Sequence, residues 1–416
     1  TLAGDGTRLS DLWIQPRVNG DLALFKGIMK EMLAAEDAAP GSGFDHTFIR
    51  EHTTGYETLI ADLRTTSWDE IVESSGVARE QIRAAAEIAL RSRATICCWA
   101  MGLTQQPNSV ETIQAVTNFL LLRGSIGKRG AGACPVRGHS NVQGDRTMGI
   151  FEKMPDWWLD RLDAEFGFKS PRAHGFDTVE AIKAMHDGRV RVFFAMGGNF
   201  LSATPDTEFT GEALRRCALT AHVSTKLNRA HLVTGKTALI LPCLGRSERD
   251  VQASGEQFVT VEDSMGIINP SRGKAEPASA MLLSEPEIVA RLARAVLGPR
   301  SSVPWEELAD NYDLIRDRIA RVVPGFEHFN RRIREGIFYL PNAPRDRREW
   351  RTPTKKANFI TAPIPRRALG AGEFVMMTIR TISSTRRFTV WTTATVGCLA
   401  GGAWYSCTKR ISARRG

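Results

Sequence analysis

The segment 190–199, with the sequence VRVFFAMGGN, decides the fold class that we predict for this chain. Its apolar run over 190–196 has the length of a buried strand, and the Gly-Gly-Asn that follows predicts a turn at the carboxyl end of the strand. A helix is predicted just before it, over Thr178–His186. Helix, strand and polar turn in this order are typical of parallel strands covered by helices.

The same order repeats downstream. A predicted helix over 210–217 leads to a strand over 219–223, which ends at the polar triplet Ser-Thr-Lys of residues 224–226, and a further strand is predicted over 238–242. In doubly wound sheets, nucleotides bind at the carboxyl ends of the strands. One such loop would fit an ordinary connection equally well, whereas two in succession favour a ligand site.

The first part of the chain has a similar alternation. We predict a strand over 12–16, helices over 21–33 and 77–90, a helix start at Ser67, a buried strand over 94–100, and a helix that begins at Asn108 with capping-box spacing and stops at Gly124. The chain is therefore predicted to be an α/β protein. We expect doubly wound (Rossmann-like), mostly parallel sheets in two layered halves, with an incomplete C-terminal domain.

Domain boundaries are predicted from changes in this pattern. We predict part of a first α/β domain over 1–175, a second, dinucleotide-binding α/β domain over 176–300, a helical and connecting segment over 301–372, and the start of a C-terminal domain over 373–416. The connecting segment is richer in Arg, Pro and Trp and less periodic, and it contains a predicted helix over 305–322.

Composition argues against several classes of protein. The 416 residues are 42% hydrophobic and 24% charged, with no apolar run long enough to span a bilayer, so no membrane span is predicted. Seven cysteines without a C-x-x-C spacing argue against a disulfide framework or a metal clip, and they favour a cytoplasmic protein. Seven of the 55 basic residues follow Phe374, where there are no acids, and the preceding part carries 48 basic against 46 acidic residues. No nucleic-acid partner is therefore predicted.

A second polar loop carries the candidate chemistry. Residues 135–144, PVRGHSNVQG, place a cation at Arg137, an imidazole at His139 and amides at Asn141 and Gln143 on a glycine-containing backbone. Most of these side chains need hydrogen-bond partners, so the loop is predicted to hold a large polar ligand. His139 could move protons near neutral pH. The alternative is a loop histidine bonded to a neighbouring carbonyl.

These loops, together with 97–105 (CCWAMGLTQ) and 198–206 (GNFLSATPD), resemble the molybdopterin-guanine-dinucleotide oxidoreductases. The resemblance extends over about residues 11–378 and is greatest to a formate-dehydrogenase-like branch that is sometimes linked to acid resistance. It implies a molybdenum bis(molybdopterin guanine dinucleotide) cofactor and two-electron redox chemistry on a small-molecule substrate. It also implies an electron-transfer partner, which the sequence does not identify.

The resemblance further implies site residues. Arg137 is expected to orient an anionic substrate, because a guanidinium grips a carboxylate bidentately. His139 stands where formate dehydrogenases carry glutamine, which leaves the substrate open. The residues implied to bind the cofactor are Met101, Gly102, Gln105, Gly138, Asn141, Gly197, Gly198, Asn199, Ser224, Thr225, Lys226 and Asn228.

The chemistry of these side chains suits the parts of a dinucleotide. Glycine amides and hydroxyls suit the pyrophosphate, Lys226 its charge, and Asn228 or Asp206 the guanine. Taken singly, Lys226 would fit a solvated surface lysine and Met101 a core residue. Cys97 and Cys98 are predicted to be small core residues, and no residue of the chain is assigned as a metal ligand.

The chain departs from the family at both ends. Family members extend well beyond its amino terminus, and that part is expected to carry a [4Fe–4S] cluster in many members and any protein ligand to molybdenum. The resemblance stops near Arg380, where we hypothesise a shifted reading frame. A nucleotide sequence can be chosen that encodes residues 382–397. Read one nucleotide out of phase, the same nucleotide sequence encodes a stretch of amino acids that resembles the family. The alternative is a basic tail that contacts a partner.

The favoured function is thus a molybdenum-dependent oxidoreductase. A nicotinamide-dependent dehydrogenase would need a Gly-x-Gly-x-x-Gly turn, and none follows Met196. A catalytically inactive fragment or a non-catalytic binding subunit remains the alternative. In a fragment, we expect apolar faces to be left uncovered.

Overall fold

The computed structural model describes residues 10–366 and the backbone of two short antiparallel strands, Gly397–Ala400 and Ala403–Ser406. Apart from these strands, the predicted C-terminal domain (373–416) and the change of reading frame lie outside the described residues. Contacts divide the chain into unit 1, residues 1–136 with 342–416, and unit 2, residues 137–341. The domain boundaries at 175, 300 and 372 stay predictions. In the described part, no helix has both the length and the apolar character needed to cross a membrane.

Unit 1 is built mainly of helices. Up to residue 136 its elements are α1 (Asp21–Ala38), α2 (His46–His52), β1 (Thr53–Thr54), α3 (Tyr56–Thr65), α4 (Trp68–Ser75), α5 (Arg79–Arg91), β2 (Ile96–Trp99), α6 (Met101–Thr104), α7 (Ser109–Leu122) and β3 (Gly132–Pro135). The helices predicted over 21–33 and 77–90 are confirmed as α1 and α5. β2 and β3 pair in parallel.

Helix α1 lies in the core of unit 1. Its Ala23 and Met32 have no exposed surface, and the helix packs against α3, α4, α5 and α7. Gly27 allows a close approach, because a Cβ there would lie 2.9 Å from Ile71 of α4 and 3.0 Å from Ile82 of α5. The side chains of α1 belong to two buried apolar clusters, in which each large side chain contributes about 1.5–3 kcal/mol.

Two predicted helix starts have different outcomes. Ser67 caps α4 as predicted, since its Oγ accepts a hydrogen bond from the backbone N of Glu70 at 3.1 Å. The capping box predicted at Asn108 is wrong, because this side chain does not cap α7 and instead donates from Nδ2 to Thr112 Oγ1 at 3.2 Å. Gly124, just after α7, has a φ of +57°, and a Cβ there would collide with the Asp45 carboxylate.

Two strand predictions in unit 1 need correction. Residues 12–16 form no strand, and Pro16 has no N–H to donate to a neighbouring strand. The strand predicted over 94–100 is shorter, Ile96–Trp99, and it is not fully buried. Its Cys98 is exposed and is not the core residue that was predicted, whereas Cys97 is partly buried and packs against the core. The reason is that the two-stranded sheet of β2 and β3 packs one face on the core and leaves the other open.

The described part of unit 2 contains two three-stranded sheets, a two-stranded antiparallel sheet of residues 251–252 with 255–256, and the helices around them. Its elements are α8 (Val142–Thr147), α9 (Asp156–Phe166), α10 (Thr178–His186), β4 (Val192–Met196), α11 (Phe200–Ala203), α12 (Thr207–Arg216), β5 (Leu219–Ser224), β6 (Thr237–Pro242), β7 (Val251–Gln252), β8 (Gly255–Glu256), β9 (Val259–Glu262), β10 (Ile267–Ser271), α13 (Glu285–Leu297), α14 (Trp305–Asp310), α15 (Tyr312–Val322), α16 (Phe329–Glu335) and β11 (Phe338–Tyr339), with 3-10 turns at Arg229–Leu232 and Gly298–Arg300.

Strands β4, β5 and β6 form a parallel sheet in that order, which confirms the predicted α/β class. On one face, Phe193 packs with side chains of α10 and α12, such as Ile182 and Leu214. On the other face, Val223 packs with Ile288 of α13. Other side chains of that face are exposed, with relative exposures of 56% at Val192, 37% at Phe194 and 46% at Leu239.

An antiparallel sheet, in the order β11-β10-β9, packs on α15 and α16 through a cluster that includes Ile268, Phe329 and Phe338. The single helix predicted over 305–322 is divided into α14 and α15. The division falls at Asn311, whose side chain accepts a hydrogen bond from the backbone N of Asp313 and starts α15.

The chain returns to unit 1 after residue 341. The elements there are α17 (Ala343–Arg347) and β12 (Ala357–Asn358), and the two C-terminal strands are β13 and β14. β12 pairs in parallel with β1, and Phe359 joins the core around α1.

Candidate functional site

The predicted site residues fall in both units, and those of unit 2 form two groups. We name residues 197–199 with 224–231 the β4–β5 edge and residues 137–149 the arginine loop. In unit 1 lie Met101, Gly102 and Gln105. In unit 2 lie Arg137, Gly138, His139, Asn141, Gly197, Gly198, Asn199, Ser224, Thr225, Lys226 and Asn228.

At the β4–β5 edge, the backbone leaves β4 through two left-handed glycines. Gly197 and Gly198 have φ values of +70° and +72°, which side chains rarely adopt. Gly197 N donates to Val223 O of β5 at 2.7 Å and fixes the start of the turn. No described atom lies within 4 Å of the Cβ position of either glycine. A ligand could therefore come close to this backbone, as phosphates do at glycine-rich turns.

Asn228 joins the turn after β4 to the loop after β5. Its Nδ2 donates to Gly198 O at 2.9 Å, its Oδ1 accepts from Ala230 N at 2.9 Å, and its backbone N donates to His231 Nδ1 at 2.9 Å. Both ends of the amide are thus used within the protein, and Asn228 positions the two loops. Asp206, the other candidate partner for guanine, accepts from Phe209 N at 2.9 Å and caps α12.

Ser224, Thr225 and Lys226, at the end of β5 and in the loop after it, make fewer hydrogen bonds within the protein than Asn228 does. Ser224 Oγ donates to Lys226 O at 2.7 Å, which turns the loop away from the strand. Thr225 and Lys226 are exposed just beyond the carboxyl end of β5. Their placement permits contact with a phosphate at this edge.

Three buried polar atoms have no hydrogen-bond partner among the described residues. Asn199 Oδ1 and His231 Nε2 lie at the β4–β5 edge, and His222 Nε2 lies on β5 beside it. The two imidazole rings lie 4.9 Å apart, and burial, followed by the nearby His231, lowers the pKa of His222. Unpaired buried polar atoms are uncommon. Sequence reasoning missed both histidines, because their proximity arises only when the loop after β5 folds back.

The arginine loop lies on the hairpin of β9 and β10. Arg137 N donates to Ser264 Oγ at 3.3 Å, and Asn141 Oδ1 accepts from Glu262 N at 2.9 Å. The Arg137 guanidinium donates to Gln143 Oε1 at 3.0 Å, which limits its orientations. Arg137, Gly138 and His139 are all exposed, so the cation and the imidazole are accessible to a ligand.

Glu262, beneath the arginine loop, was missed by sequence reasoning. Its relative exposure is 6%, and its Oε2 has no partner among the described residues. Burial raises the pKa of this carboxyl, against a lowering by the Thr147 hydroxyl and with a further rise from Asp263. A buried carboxyl with a raised pKa beside a candidate site can hold a proton there. The sequence shows only an acidic pair, Glu262 and Asp263, at the end of an apolar strand. Such a pair is too common to predict a buried carboxyl at a site.

Met101, Gly102 and Gln105 lie around the short helix α6 of unit 1. Met101 is 53% exposed, so the alternative of a core methionine is contradicted. Gly102 has open space at its Cβ position, and Gln105 N donates to Met101 O at 2.9 Å. In the described part of the chain, no group of three or more His, Cys, Asp or Glu side chains is placed to hold a metal ion.

Sequence comparison gives curated bacterial relatives. An uncharacterized oxidoreductase of Mycobacterium tuberculosis is 53% identical over 381 residues, which cover 91% of this chain and 49% of the relative. The chain is thus similar to a protein that is named as an oxidoreductase. Protein YdeP of Escherichia coli K12 is 45% identical over 366 residues, which cover 87% of this chain and 48% of YdeP. A Staphylococcus haemolyticus protein whose name refers to formate dehydrogenase is 28% identical over 215 residues, 50% of this chain and 21% of that protein.

This chain spans about half the length of the first two of these proteins. It matches no protein-family model. Among solved structures, acetylene hydratase from Pelobacter acetylenicus has a similar fold, with a TM-score of 0.58 and 19% identity over 84% of this chain and 49% of that chain. At that identity the likeness concerns the fold alone, and it agrees with the α/β class.

Proposed function

We propose that this chain is part of a molybdopterin-dependent oxidoreductase of the formate-dehydrogenase-like branch. The observation that carries the proposal is the 53% identity to an oxidoreductase over 91% of the chain. A relative named for formate dehydrogenase and the fold shared with acetylene hydratase support it. The proposed cofactor is molybdenum bis(molybdopterin guanine dinucleotide), and the substrate is a small molecule.

The residues at the β4–β5 edge fit the nucleotide part of such a cofactor. Gly197 and Gly198 offer open backbone, and the buried Oδ1 of Asn199 lacks a partner among the described residues. Lys226 could neutralise a phosphate, while Asn228 holds the two loops in place. Gly138 and Asn141 of the arginine loop, and Met101, Gly102 and Gln105 of unit 1, are proposed as further contacts.

In the proposed reaction, the molybdenum cofactor and the arginine loop have different roles. When bound, the molybdenum and its pterins would supply the two-electron redox chemistry. Arg137 would bind and orient an anionic substrate through its guanidinium, whose direction is limited by Gln143. His139 would accept or release a proton at a ring nitrogen. A [4Fe–4S] cluster would lie in the part of the relatives that this chain does not span. We assign any protein ligand of the molybdenum to that part as well.

Purification of the chain from a host that makes molybdopterin tests the proposal. We expect molybdenum by elemental analysis and a guanine nucleotide by chromatography of the denatured protein. The variant Gly198→Val should retain at most about a tenth of that nucleotide, a factor equivalent to about 1.4 kcal/mol. Gly188→Val is the matched control, since Gly188 also has a positive φ, +75°, with open space around it, but lies before β4.

Absence of both molybdenum and guanine nucleotide from the wild-type chain would contradict the proposal. It would favour the non-catalytic binding subunit or the inactive fragment. Equal nucleotide content in the two glycine variants would show that binding occurs away from the β4–β5 edge.

A further inference from the structure

Glu262 is a buried acid beneath the arginine loop, and the proposed reaction gives it no role. It is the last residue of β9, its relative exposure is 6%, and its Oε2 has no hydrogen-bond partner among the described residues. Because additional chain that packs on unit 2 would cover more surface, it would leave this side chain buried. The burial of Glu262 is therefore a firm basis for an inference.

Glu262 and the adjacent Asp263 differ in the donors that surround their carboxyl groups. Asp263 Oδ1 accepts from Met265 N at 2.9 Å and from Ile267 N at 3.1 Å. Its Oδ2 accepts from Asn269 Nδ2 at 3.3 Å. Such donors stabilise an ionised carboxylate. No described residue donates to the buried Oε2 of Glu262, and a buried charge without partners is costly. The protonated form is therefore favoured at Glu262.

The charged and titratable side chains near Glu262 do not reverse this preference. Glu262 belongs to the hairpin of β9 and β10, and α8 of the arginine loop packs on β9. The other charged or titratable residues of the hairpin and the loop are Asp263, Arg137, His139, Asp145 and Arg146. Burial has the largest effect on the pKa of Glu262 and raises it, the Thr147 hydroxyl lowers it by less, and Asp263 raises it further. Glu262 thus keeps its proton to a higher pH than an exposed glutamate does.

One hydroxyl hydrogen links the Glu262 carboxyl to the arginine loop. Thr147 Oγ1 donates to Gln143 O at 3.2 Å and also interacts with the Glu262 carboxyl. A threonine hydroxyl has one hydrogen, and an ionised carboxylate can only accept. While the hydrogen of Thr147 is donated to Gln143, the hydroxyl can bond to Glu262 only by accepting a hydrogen from it. A protonated Glu262 completes this chain, whereas an ionised Glu262 would compete for the same hydrogen.

The chain of hydrogen bonds continues to the cation of the candidate site. Gln143 accepts from the Arg137 guanidinium at 3.0 Å through its side-chain Oε1, and from Thr147 through its backbone O. Asn141 Oδ1, on the same loop, accepts from Glu262 N at 2.9 Å. Glu262 therefore holds the loop at Asn141 and at Thr147, on either side of the residue that limits the orientation of Arg137.

We propose that Glu262 is a positioning residue of the candidate site, which acts in its protonated form by donating a hydrogen bond to Thr147. This bond leaves the Thr147 hydrogen on Gln143, whose side chain directs the Arg137 guanidinium. Ionisation of Glu262 would release the loop and place a negative charge beneath it, so an anion at Arg137 would bind more weakly as the pH rises. Only the role of Arg137 rests on the proposed function.

Infrared difference spectroscopy of the complete chain tests the protonation of Glu262. The C=O stretch of a protonated carboxyl is separate from the bands of ionised carboxylates, and Glu262→Gln, which has nearly the same shape, identifies the contribution of Glu262. A protonated-carboxyl band that is absent from this variant should persist in the wild type when exposed glutamates, with pKa values of about 4.3, have ionised. Loss of the band together with those of the exposed glutamates would overturn the proposal.

The pH dependence of stability gives a second readout. A carboxyl whose pKa is raised by folding stabilises the protein fully below its unfolded pKa, and this stabilisation is lost as the pH rises through the folded pKa. The urea midpoint of the wild type should therefore fall, relative to that of Glu262→Gln, as the pH rises above 4.5. A constant difference between the two midpoints, or a change in the opposite direction, would contradict a protonated Glu262.

Hydrogen exchange of the amides of residues 137–149 tests the hold on the loop. Glu262→Gln keeps a donor for Thr147 and should change the exchange rates by less than about threefold. Glu262→Leu removes the donor and Thr147→Val the acceptor, so each should raise the rates by at least about tenfold. Glu335→Leu, at an exposed glutamate that ends α16, is the control and should leave them unchanged.

Equal acceleration in Glu262→Gln and Glu262→Leu, or no acceleration in Glu262→Leu and Thr147→Val, would overturn the positioning role. The three measurements use neither cofactor nor substrate. Their failure is therefore distinguishable from a failure of the proposed function, which is read from molybdenum and guanine nucleotide.

Discussion

Helix α1 of unit 1 and strand β4 of unit 2 are both rich in apolar residues, but the chain covers them differently. α1 contacts other helices on several sides, and its Ala23 and Met32 have no exposed surface. β4 packs Phe193 on α10 and α12, whereas Val192 and Phe194 on its other face are 56% and 37% exposed.

The difference between α1 and β4 shows what an apolar sequence pattern predicts and what it does not. The pattern identifies which side chains favour burial, but not which part of a protein buries them. Apolar side chains are left exposed on β4 and also at Ile96 of β2. We therefore expect substitutions on the covered faces to cost much more stability than those on the open faces.

The largest contrast is expected within helix α5. Ile82 is fully buried against α1, whereas Ile88 on the same helix is 43% exposed. Ile82→Ala should lower the free energy of unfolding by about 2–5 kcal/mol, because it leaves a cavity. Ile88→Ala should lower it by less than about 1 kcal/mol. Urea denaturation followed by circular dichroism measures both, and similar losses would contradict the assigned faces.

The next contrast lies between neighbours on β4. The Phe193 ring lies 4.8 Å from that of Phe200 and 5.7 Å from that of His222. Phe193→Ala should cost about 3 kcal/mol, and Phe194→Ala less than about 1 kcal/mol. Phe194→Ala should in addition reduce the binding of a dye that detects exposed apolar surface. An equal loss of stability in both variants would indicate that the open face is covered in solution.

Glu36, a buried carboxylate of unit 1, makes the stability of the protein depend on pH. Burial alone would raise the pKa of Glu36, but hydrogen bonds from Gly41 N, His46, Gly43 N and Phe44 N outweigh it and lower the pKa from 4.5 to about 2. The stabilisation is therefore complete above about pH 5 and is lost as pH falls from about 4.5 to about 2.

We expect Glu36 to account for about 1–3 kcal/mol of this loss. Unfolding curves of wild type and Glu36→Gln between pH 6 and about pH 2.5 measure it by difference. The two proteins should converge in stability as the pH is lowered. A constant gap across the range would contradict the role of the ionised carboxylate.

The smallest effect concerns the two helix starts. Ser67→Ala removes a hydrogen bond to the backbone of α4 and should cost about 1 kcal/mol. Asn108→Ala removes no cap from α7 and should cost less than about 0.5 kcal/mol. Thermal unfolding of both variants makes the comparison. A larger loss in Asn108→Ala would indicate that the side chain caps the helix in solution.

Local patterns predicted much of the fold. Helix α10 has the predicted bounds, and the strands β4, β5 and β6 begin and end within two residues of their predicted positions. The failures arise from local side-chain hydrogen bonds that the apolar pattern does not reveal. Asn108 found a partner other than the helix backbone, and Asn311 interrupted a periodic segment by starting a new helix.

The candidate site was predictable in its residue types but not in its internal bonding. Asn228 was proposed as a partner for guanine, yet its amide bonds to Gly198 and Ala230 and positions two loops. Glu262 was missed because it lies beneath Asn141 and Thr147, which are far from it in the sequence, and His231 because it meets His222 only when the loop after β5 folds back. A sequence pattern indicates that a polar loop exists, whereas its partners follow only from the packing.

Calorimetric titration of the purified chain with GDP, a probe for the guanosine diphosphate end of the cofactor, tests the account most directly. We predict that GDP binds and that Lys226→Ala weakens GDP binding by about three- to tenfold. Lys236→Ala, an exposed lysine just before β6 at the opposite edge of the same sheet, should leave the affinity unchanged. Absence of GDP binding, or equal effects of the two lysine variants, would contradict a nucleotide site at the β4–β5 edge.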